Sequence, residues 1–428
     1  VMLKRILSLS VGMVVGTLIA MGLLHVVELL GLRQDAELRK ASTYYRQVLQ
    51  LVQEQYVDEA AAEDVNTLTR EALVGMMENL DPHSSYLRAS DFAHLQEDLD
   101  SQFGGIGVQI ERREDQVVVV APIAGTPGER AGILRGDVVL AVEGESMRGK
   151  TLNEVVERMR GKPGTSVQVS FGREGVDEPI ELTIVREFIR VESVTDVRML
   201  EGNIGYVRIV QFSEPTAEEM HAALAQLLGE GARALIIDVR NNPGGLLTSA
   251  ADVLEPFFER GDLLVYTQGR QAEDREELRS RNEKDPIELP MAVLINAGSA
   301  SAAEILAGAL KDTGKAVVVG ERSFGKGSVQ TLFRLNEGEA LRLTTARYYT
   351  PGGETIHERG VPPDVEVIMS PDEDRNVALQ RLRPDLNDPA AFEERFGIAP
   401  VADRQLDAAQ AILEAALLIE QKEEAAQP

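Results

Sequence analysis

Three groupings in the sequence have the residue types and spacing of a reaction centre. GERSFGKGSVQ, residues 320–330, nearly spells a phosphate-binding loop, G-x-x-x-x-G-K-[ST]. Gly320, Gly325 and Lys326 fit, but Gly327 stands where the magnesium-binding hydroxyl belongs. ALIID, residues 234–238, imitates the apolar strand and terminal carboxylate of a companion nucleotide motif. A phosphate loop needs its lysine at the N-terminus of a helix, whose N–H groups hold the anion. The run after Lys326, GSVQTLFRL, alternates as a strand instead, so Lys326, Ser328 and Gln330 share one face. A P-loop nucleotide enzyme is therefore the weaker alternative. Lys326 is left as a surface lysine on a hairpin or as a general base. The second role requires a desolvated amine whose pKa is brought from about 10.4 toward roughly 7–8.

A base needs a nucleophile. INAGSASAAEIL, residues 295–306, reads as a strand, a small-residue turn and a helix opening at Ser301. Glu304, three residues on, makes Ser301 a helix cap in an S-x-x-E box. A serine at a strand-to-helix turn is also how nucleophiles are presented, with helix N–H groups ready for an oxyanion. Spacing does not choose between these roles, nor between Ser301 and Ser299. DVRNNPGG, residues 238–245, turns at Asn241-Asn242-Pro243 and exposes backbone N–H groups at Gly244 and Gly245. That is an anion site at a strand's carboxyl end or a plain Pro-Gly turn. Of five histidines, His221 and His357 are the candidates for a base, and neither has a signature context. No H-E-x-x-H and no cluster of histidines with carboxylates is present, so no metal or other cofactor is expected.

The elements that must hold these groups can be read from periodicity. Residues 35–101 read as helices; in ALVGMMENL the apolar stripe is Leu73, Met76, Met77 and Leu80, stopped by Asp81-Pro82. Residues 102–186 change to short strands around one helix, TLNEVVERMRG, which opens with a Thr151/Glu154 capping box. From residue 191 to about 369 strands and helices alternate in βα grammar, which implies a mostly parallel sheet. A charged loop or hairpin covers residues 267–286. The tail from residue 371 ends in an Ala/Glu-rich helix over 403–422 whose apolar face docks on the body or on another subunit.

The net charge of −26 argues against a nucleic-acid binder, and the absence of cysteine rules out disulfides and thiolate metal sites. Lys4 and Arg5 precede an apolar run over residues 6–24. That run fits a cleaved signal peptide and an uncleaved signal anchor equally, and either puts the body outside the cytoplasm.

Taken in order, DPHSSYL, GGIGV, DVRNNPGG, NAGSASAAE and FGKGSVQ resemble the carboxyl-terminal processing peptidases, the tail-specific serine proteases of family S41. Nearly the whole chain after the leader is covered. The resemblance implies that Ser301 is the nucleophile, Lys326 the base and Gln330 the residue that orients it. Ala303 departs from the third serine common there. An oxyanion hole of backbone N–H groups from Ala302, Gly244 and Gly245 is expected beside the dyad. The resemblance further implies a PDZ domain at residues 102–186. There Gly104, Gly105, Ile106, Gly107 and Val108 would take the carboxylate and strand of a peptide tail.

The expected fold class is an α/β core, a crotonase/ClpP-like mostly parallel sheet with helices, carrying an inserted PDZ domain and helical N- and C-terminal segments. The expected division is 1–34 leader, 35–101 helical region, 102–186 PDZ domain, 187–370 peptidase core and 371–428 helical region. The implied activity is an ATP-independent endopeptidase acting on proteins or peptides with free C-termini; a catalytically silent PDZ scaffold is the alternative. Implied partners are an adaptor lipoprotein and further copies of the chain, with no nucleic acid. The implied compartment is the periplasm, with the N-terminal segment as an inner-membrane anchor if it is retained.

Overall fold

The computed structural model of the chain describes residues 32–58, 64–113, 115–123, 125–383 and 388–426; the leader lies outside them. No helix among the described residues is long and apolar enough to cross a membrane. The chain divides into two compact units, one ending at Tyr86 and one starting at Leu87. In the first, helices Leu32–Gln55 and Val65–Glu78 carry the helical reading. Asp64 caps the second by accepting from the Thr67 N–H at 2.9 Å. Of the expected stripe on that helix Met77 is buried, while Met76 and Leu80 are exposed.

The second unit contains a sheet that runs Val108–Arg113, Gln116–Pro122, Val138–Val142, Ser166–Gly172, Ile180–Val185, with every neighbour antiparallel. Its core is Val119, Val167, Val169 and Phe171, closed by Val155 and Met159 of the helix Leu152–Met159. The Thr151/Glu154 box opens that helix as its spacing foretold.

A six-stranded sheet forms the next layer: Val194–Leu200, Ile204–Ile209, Ala234–Asp238, Met291–Ile295, Ala316–Gly320, Val365–Glu366. Its central strands are uninterrupted apolar runs because both faces are covered. Side chains alternate. Leu235 and Ile237 meet the helices Thr216–Gly229, Leu247–Leu254 and Ala302–Asp312 on one face. Ala234 and Ile236 meet Ala409, Leu413 and Leu417 of the helix Arg404–Ala426 on the other. The C-terminal helix thus docks on the body.

The expectation of a mostly parallel, crotonase/ClpP-like sheet does not hold, because the sheets of this chain are mostly antiparallel. Among the described strands parallel pairing runs over four successive neighbours in the six-stranded sheet, with one isolated parallel bridge, Phe212 to Gly245, outside the strands. Among the described residues antiparallel pairing prevails elsewhere, as in a further sheet in which Ser328–Arg334 hairpins onto Ala340–Tyr349, and Leu263–Gln268 pairs with both that strand and Arg275–Arg279. The physical reason is loop length. A parallel neighbour needs a crossover of a dozen or more residues, whereas the connections at 335–339 and 269–274 are long enough only for a hairpin.

Candidate active site

Two parallel neighbours, Ala234–Asp238 and Met291–Ile295, end side by side, with Asp238 opposite Leu294. The turns that leave their carboxyl ends are tied together by amide side chains. The buried Asn242 side chain donates to the Ile209 carbonyl at 2.8 Å, and the Asn242 main-chain carbonyl accepts from the Ala300 N–H at 2.9 Å. The Asn296 side chain accepts from the N–H groups of Asn241 at 2.9 Å and Gly298 at 3.0 Å. Ser299, fully buried, donates to the Val239 carbonyl at 2.8 Å and accepts from the Asn296 N–H at 3.0 Å. Its hydroxyl is committed to joining the two turns. Ser301, two residues on, is only partly buried and opens on a cavity.

The backbone at Ser301 has φ +55° and ψ −115°, a region that costs a non-glycine residue of order 1–3 kcal/mol. A serine acting only as a cap would sit in extended backbone. Gly244 explains how close the facing turn comes. A Cβ there would lie 2.6 Å from the Ser301 Cβ and 2.7 Å from the Ala300 carbonyl, so only glycine fits. The Gly244 N–H donates to the Asn242 side chain at 2.8 Å. Among the described residues the N–H groups of Ala302 and Gly245 have no such protein acceptor.

The cavity, about 210 Å³, is lined by Ser301, Lys326, Ser328, Gln330, Arg342 and Tyr348 together with Gly245 and apolar neighbours. Lys326 precedes the strand Ser328–Arg334, as its alternation foretold; no helix comes after it there. Opposite Val329 and Gln330 the facing strand carries an extra residue, Thr345, which shifts the register there, and Val329 lines the cavity as well. Burial pushes the Lys326 amine below the ordinary lysine value, the Arg342 guanidinium adds to the shift, and the Glu304 carboxylate opposes it. Gln330 donates its amide N–H to the Ser328 hydroxyl at 2.9 Å and to the Ser328 carbonyl at 3.1 Å.

Neither His221, exposed on its helix, nor His357, whose backbone backs Gly327, lines this cavity. No group of three or more histidines and carboxylates that would suit a metal occurs among the described residues. Two cavity residues, and a third that is buried behind the cavity, escaped the sequence reading. Tyr348 is buried, and burial, then the Glu304 charge, drive its pKa well above the ordinary value. Arg342 sits on the same strand, and the alternation of RLTTARYY could have pointed to it. Glu304 was read only as half of a capping box.

A second concavity, about 300 Å³, lies between the edge strand Val108–Arg113 and the helix Leu152–Met159. Gly105, Ile106, Gly107 and Val108 line it, with Leu152, Val156 and Met159 opposite. Gly104 does not. It pairs in the ladder with Phe188, and the place a Cβ would take is filled by the Gly161 carbonyl.

Comparison with known proteins agrees with this layout. Residues 203–367 match the model for peptidase family S41, and residues 118–173 match that for the PDZ domain. A carboxy-terminal-processing protease of Bartonella bacilliformis is 38% identical over 358 residues, 83% of this chain and 81% of the relative. The carboxy-terminal processing protease CtpB of Bacillus subtilis is 35% identical over 82% of this chain and 72% of its own length. Among solved structures, the photosystem II D1 C-terminal processing protease aligns over 76% of this chain and 92% of its own, with 30% identity and a TM-score of 0.44. The chain is a serine peptidase with an inserted PDZ domain. It belongs to the S41 family, among the carboxy-terminal-processing proteases.

Proposed function

We propose that Ser301 is the nucleophile of this peptidase and Lys326 its general base. The observation that carries the reading is that a serine on a strained turn and a lysine with a lowered pKa line one cavity. Neutral Lys326 takes the proton from the Ser301 hydroxyl as its oxygen attacks a peptide carbonyl. The N–H groups of Ala302 and Gly245 hold the oxyanion, with Gly244 serving by its lack of a Cβ rather than as a donor. Lys326 then gives the proton to the leaving amine, and water cleaves the acyl-enzyme. Gln330, whose amide N–H is held by Ser328, keeps its carbonyl oxygen to orient the lysine.

Substrate arrives as a protein tail. An extended peptide adds to the edge strand Val108–Arg113, with its terminal carboxylate at the Gly105–Gly107 turn and its apolar side chains between Ile106 and Val156. An adaptor lipoprotein, self-association and a periplasmic setting belong to the same reading and rest on the family likeness and the leader.

The test is cleavage of β-casein, an unfolded protein, by the parent, Ser301→Ala and Lys326→Ala chains, each with and without Mg-ATP. Cleavage by the parent alone, indifferent to ATP, is expected. Cleavage by Lys326→Ala at the parent rate would sink the dyad.

A further inference from the structure

We infer that Glu304 is a positioning residue that holds the nucleophile and the base in register, because one of its carboxylate oxygens receives a backbone N–H from each of them. The inference rests on the Ser301/Lys326 reading above. Glu304 Oε2 accepts from the Ser301 N–H at 2.8 Å and from the Lys326 N–H at 2.9 Å. Oε1 accepts from the Gly325 N–H at 2.7 Å and the Ser323 hydroxyl at 2.6 Å. The side chain is fully buried. A capping box accounts for the first of these four bonds only. The other three come from a loop 19 to 22 residues further along the chain, which has no part in capping the helix.

The arrangement demands a carboxylate rather than an amide. Three backbone N–H groups converge with a hydroxyl that already accepts from the Val361 N–H, so both oxygens accept. Glutamine would turn its NH₂ group against at least one backbone N–H on either side and leave buried polar groups unpaired. A buried anion held by four donors also makes strong bonds, since each is charge-assisted. The helix N-terminus that carries Ser301 and the loop that carries Lys326 are thereby fixed to a common atom, although they belong to separate elements.

The same charge acts on the base. Lys326 is faced by Glu304 from its helix and by Arg342 from the strand Ala340–Tyr349, with the neutral Tyr348 hydroxyl in the same cavity. Removing the Glu304 charge takes away the one contribution that favours the ammonium form. The Lys326 pKa then falls further, and the acid limb of kcat/KM, which reports formation of the neutral amine, moves to lower pH.

The experiment compares β-casein cleavage by the full chain, E304Q and E304D across pH, with the folded fraction of each measured by near-ultraviolet circular dichroism. For E304Q, kcat per folded molecule should fall about a hundredfold with KM nearly unchanged, and the acid limb should shift toward acid. For E304D, which keeps the charge on a shorter stem, kcat should fall while the acid limb stays. A merely structural Glu304 predicts activity that tracks the folded fraction with an unmoved limb, and that result overturns the inference. Should E304Q fail to fold, E304D decides: a parent kcat overturns the inference, and a lowered kcat at parent KM supports it. Lys326→Ala run alongside separates the two readings. If it is inactive while E304Q cleaves at the parent rate, only this inference fails; if it is active, the dyad itself fails.

Discussion

The helices Leu152–Met159 and Ala302–Asp312 both open on a hydroxyl residue with glutamate three places later. At the first, Thr151 is extended, φ −70° and ψ 157°, and the Glu154 carboxylate accepts from its N–H at 2.7 Å and its hydroxyl at 2.8 Å. At the second, Ser301 is forced to φ +55°, and the Glu304 carboxylate reaches beyond its own turn to three more donors. The first box lies in water, whereas in the second Glu304 is fully buried and Ser301 partly so. Their glutamates respond in opposite directions: bonds from Thr151 lower the Glu154 pKa, whereas burial raises that of Glu304. A four-residue spacing therefore announces a helix start, and the surroundings decide whether its glutamate stays within the cap or gathers donors from a distant loop.

The sharpest break between the two boxes is chemical. Ser301→Ala and Lys326→Ala are each expected to lower β-casein cleavage by about 10⁴-fold or more, as when a member of a catalytic pair is removed, with the urea midpoint close to that of the parent. If the buried box only capped a helix, Ser301→Ala would instead cost stability and spare the rate.

Next in size is a test of how a buried carboxylate is compensated. Asp238, fully buried at the end of its strand, takes two guanidinium groups where Glu304 takes neutral donors. Arg240 reaches it at 2.7 Å and also grips Asp403 at 2.7 Å, which locks the C-terminal segment to the strand that leads into the NNPGG turn. Burial alone would raise the Asp238 pKa, but Arg240 and Arg381 hold it well below the carboxylate range. Arg240→Ala leaves that anion buried without its main partner. The expected cost is about 3–5 kcal/mol, read by urea denaturation. A cost under about 1 kcal/mol would mean that Arg381 alone compensates Asp238, so that the pairing is redundant.

The opposed glutamate shifts give a third contrast, in the pH dependence of stability. Glu154, with a lowered folded pKa, adds stability that is present above the unfolded carboxyl value of about 4.3 and lost as pH falls through the folded value. Glu304, with a raised one, favours the fold below about 4.3 and loses that advantage as pH rises through its folded value. Urea midpoints of the parent, E154Q and E304Q between about pH 3.5 and about 6.5 should therefore diverge. The parent's advantage grows with pH against E154Q and shrinks with pH against E304Q. Parallel trends would show that the two carboxylates sit in equivalent surroundings.

What was legible in the sequence divides along the same line. Local patterns were readable: the apolar runs at 234–238 and 291–295, the strand after Lys326, and the Thr151 box. Partners brought from elsewhere were not. Ser299 and Ser301 are equivalent by spacing, and they differ because Val239, some sixty residues away, takes the Ser299 hydroxyl. Gly244 looked like a donor until Asn242 was seen to occupy its N–H. The parallel sheet was over-extended because βα alternation was carried past the points where short connections fold strands back on themselves. Arg342 and Tyr348 alternate onto one face of RLTTARYY, but nothing local marks that partly exposed, polar strand as the wall of a cavity.

The smallest expected effect falls on the solvent-exposed box. Thr151→Ala removes a cap whose hydroxyl accepts from the Glu154 N–H at 3.3 Å, and such a loss costs about 1 kcal/mol. The helix it starts walls the groove with Leu152, Val156 and Met159, so fraying its first turn loosens Leu152 first. On the proposed reading that change acts on capture of the peptide rather than on Ser301 and Lys326. KM for β-casein should rise modestly while kcat and the acid limb of the rate profile stay where they are. A fall in kcat as large as that caused by Glu304 substitution would erase the distinction between the boxes, and would mean that the groove helix is coupled to the reaction itself.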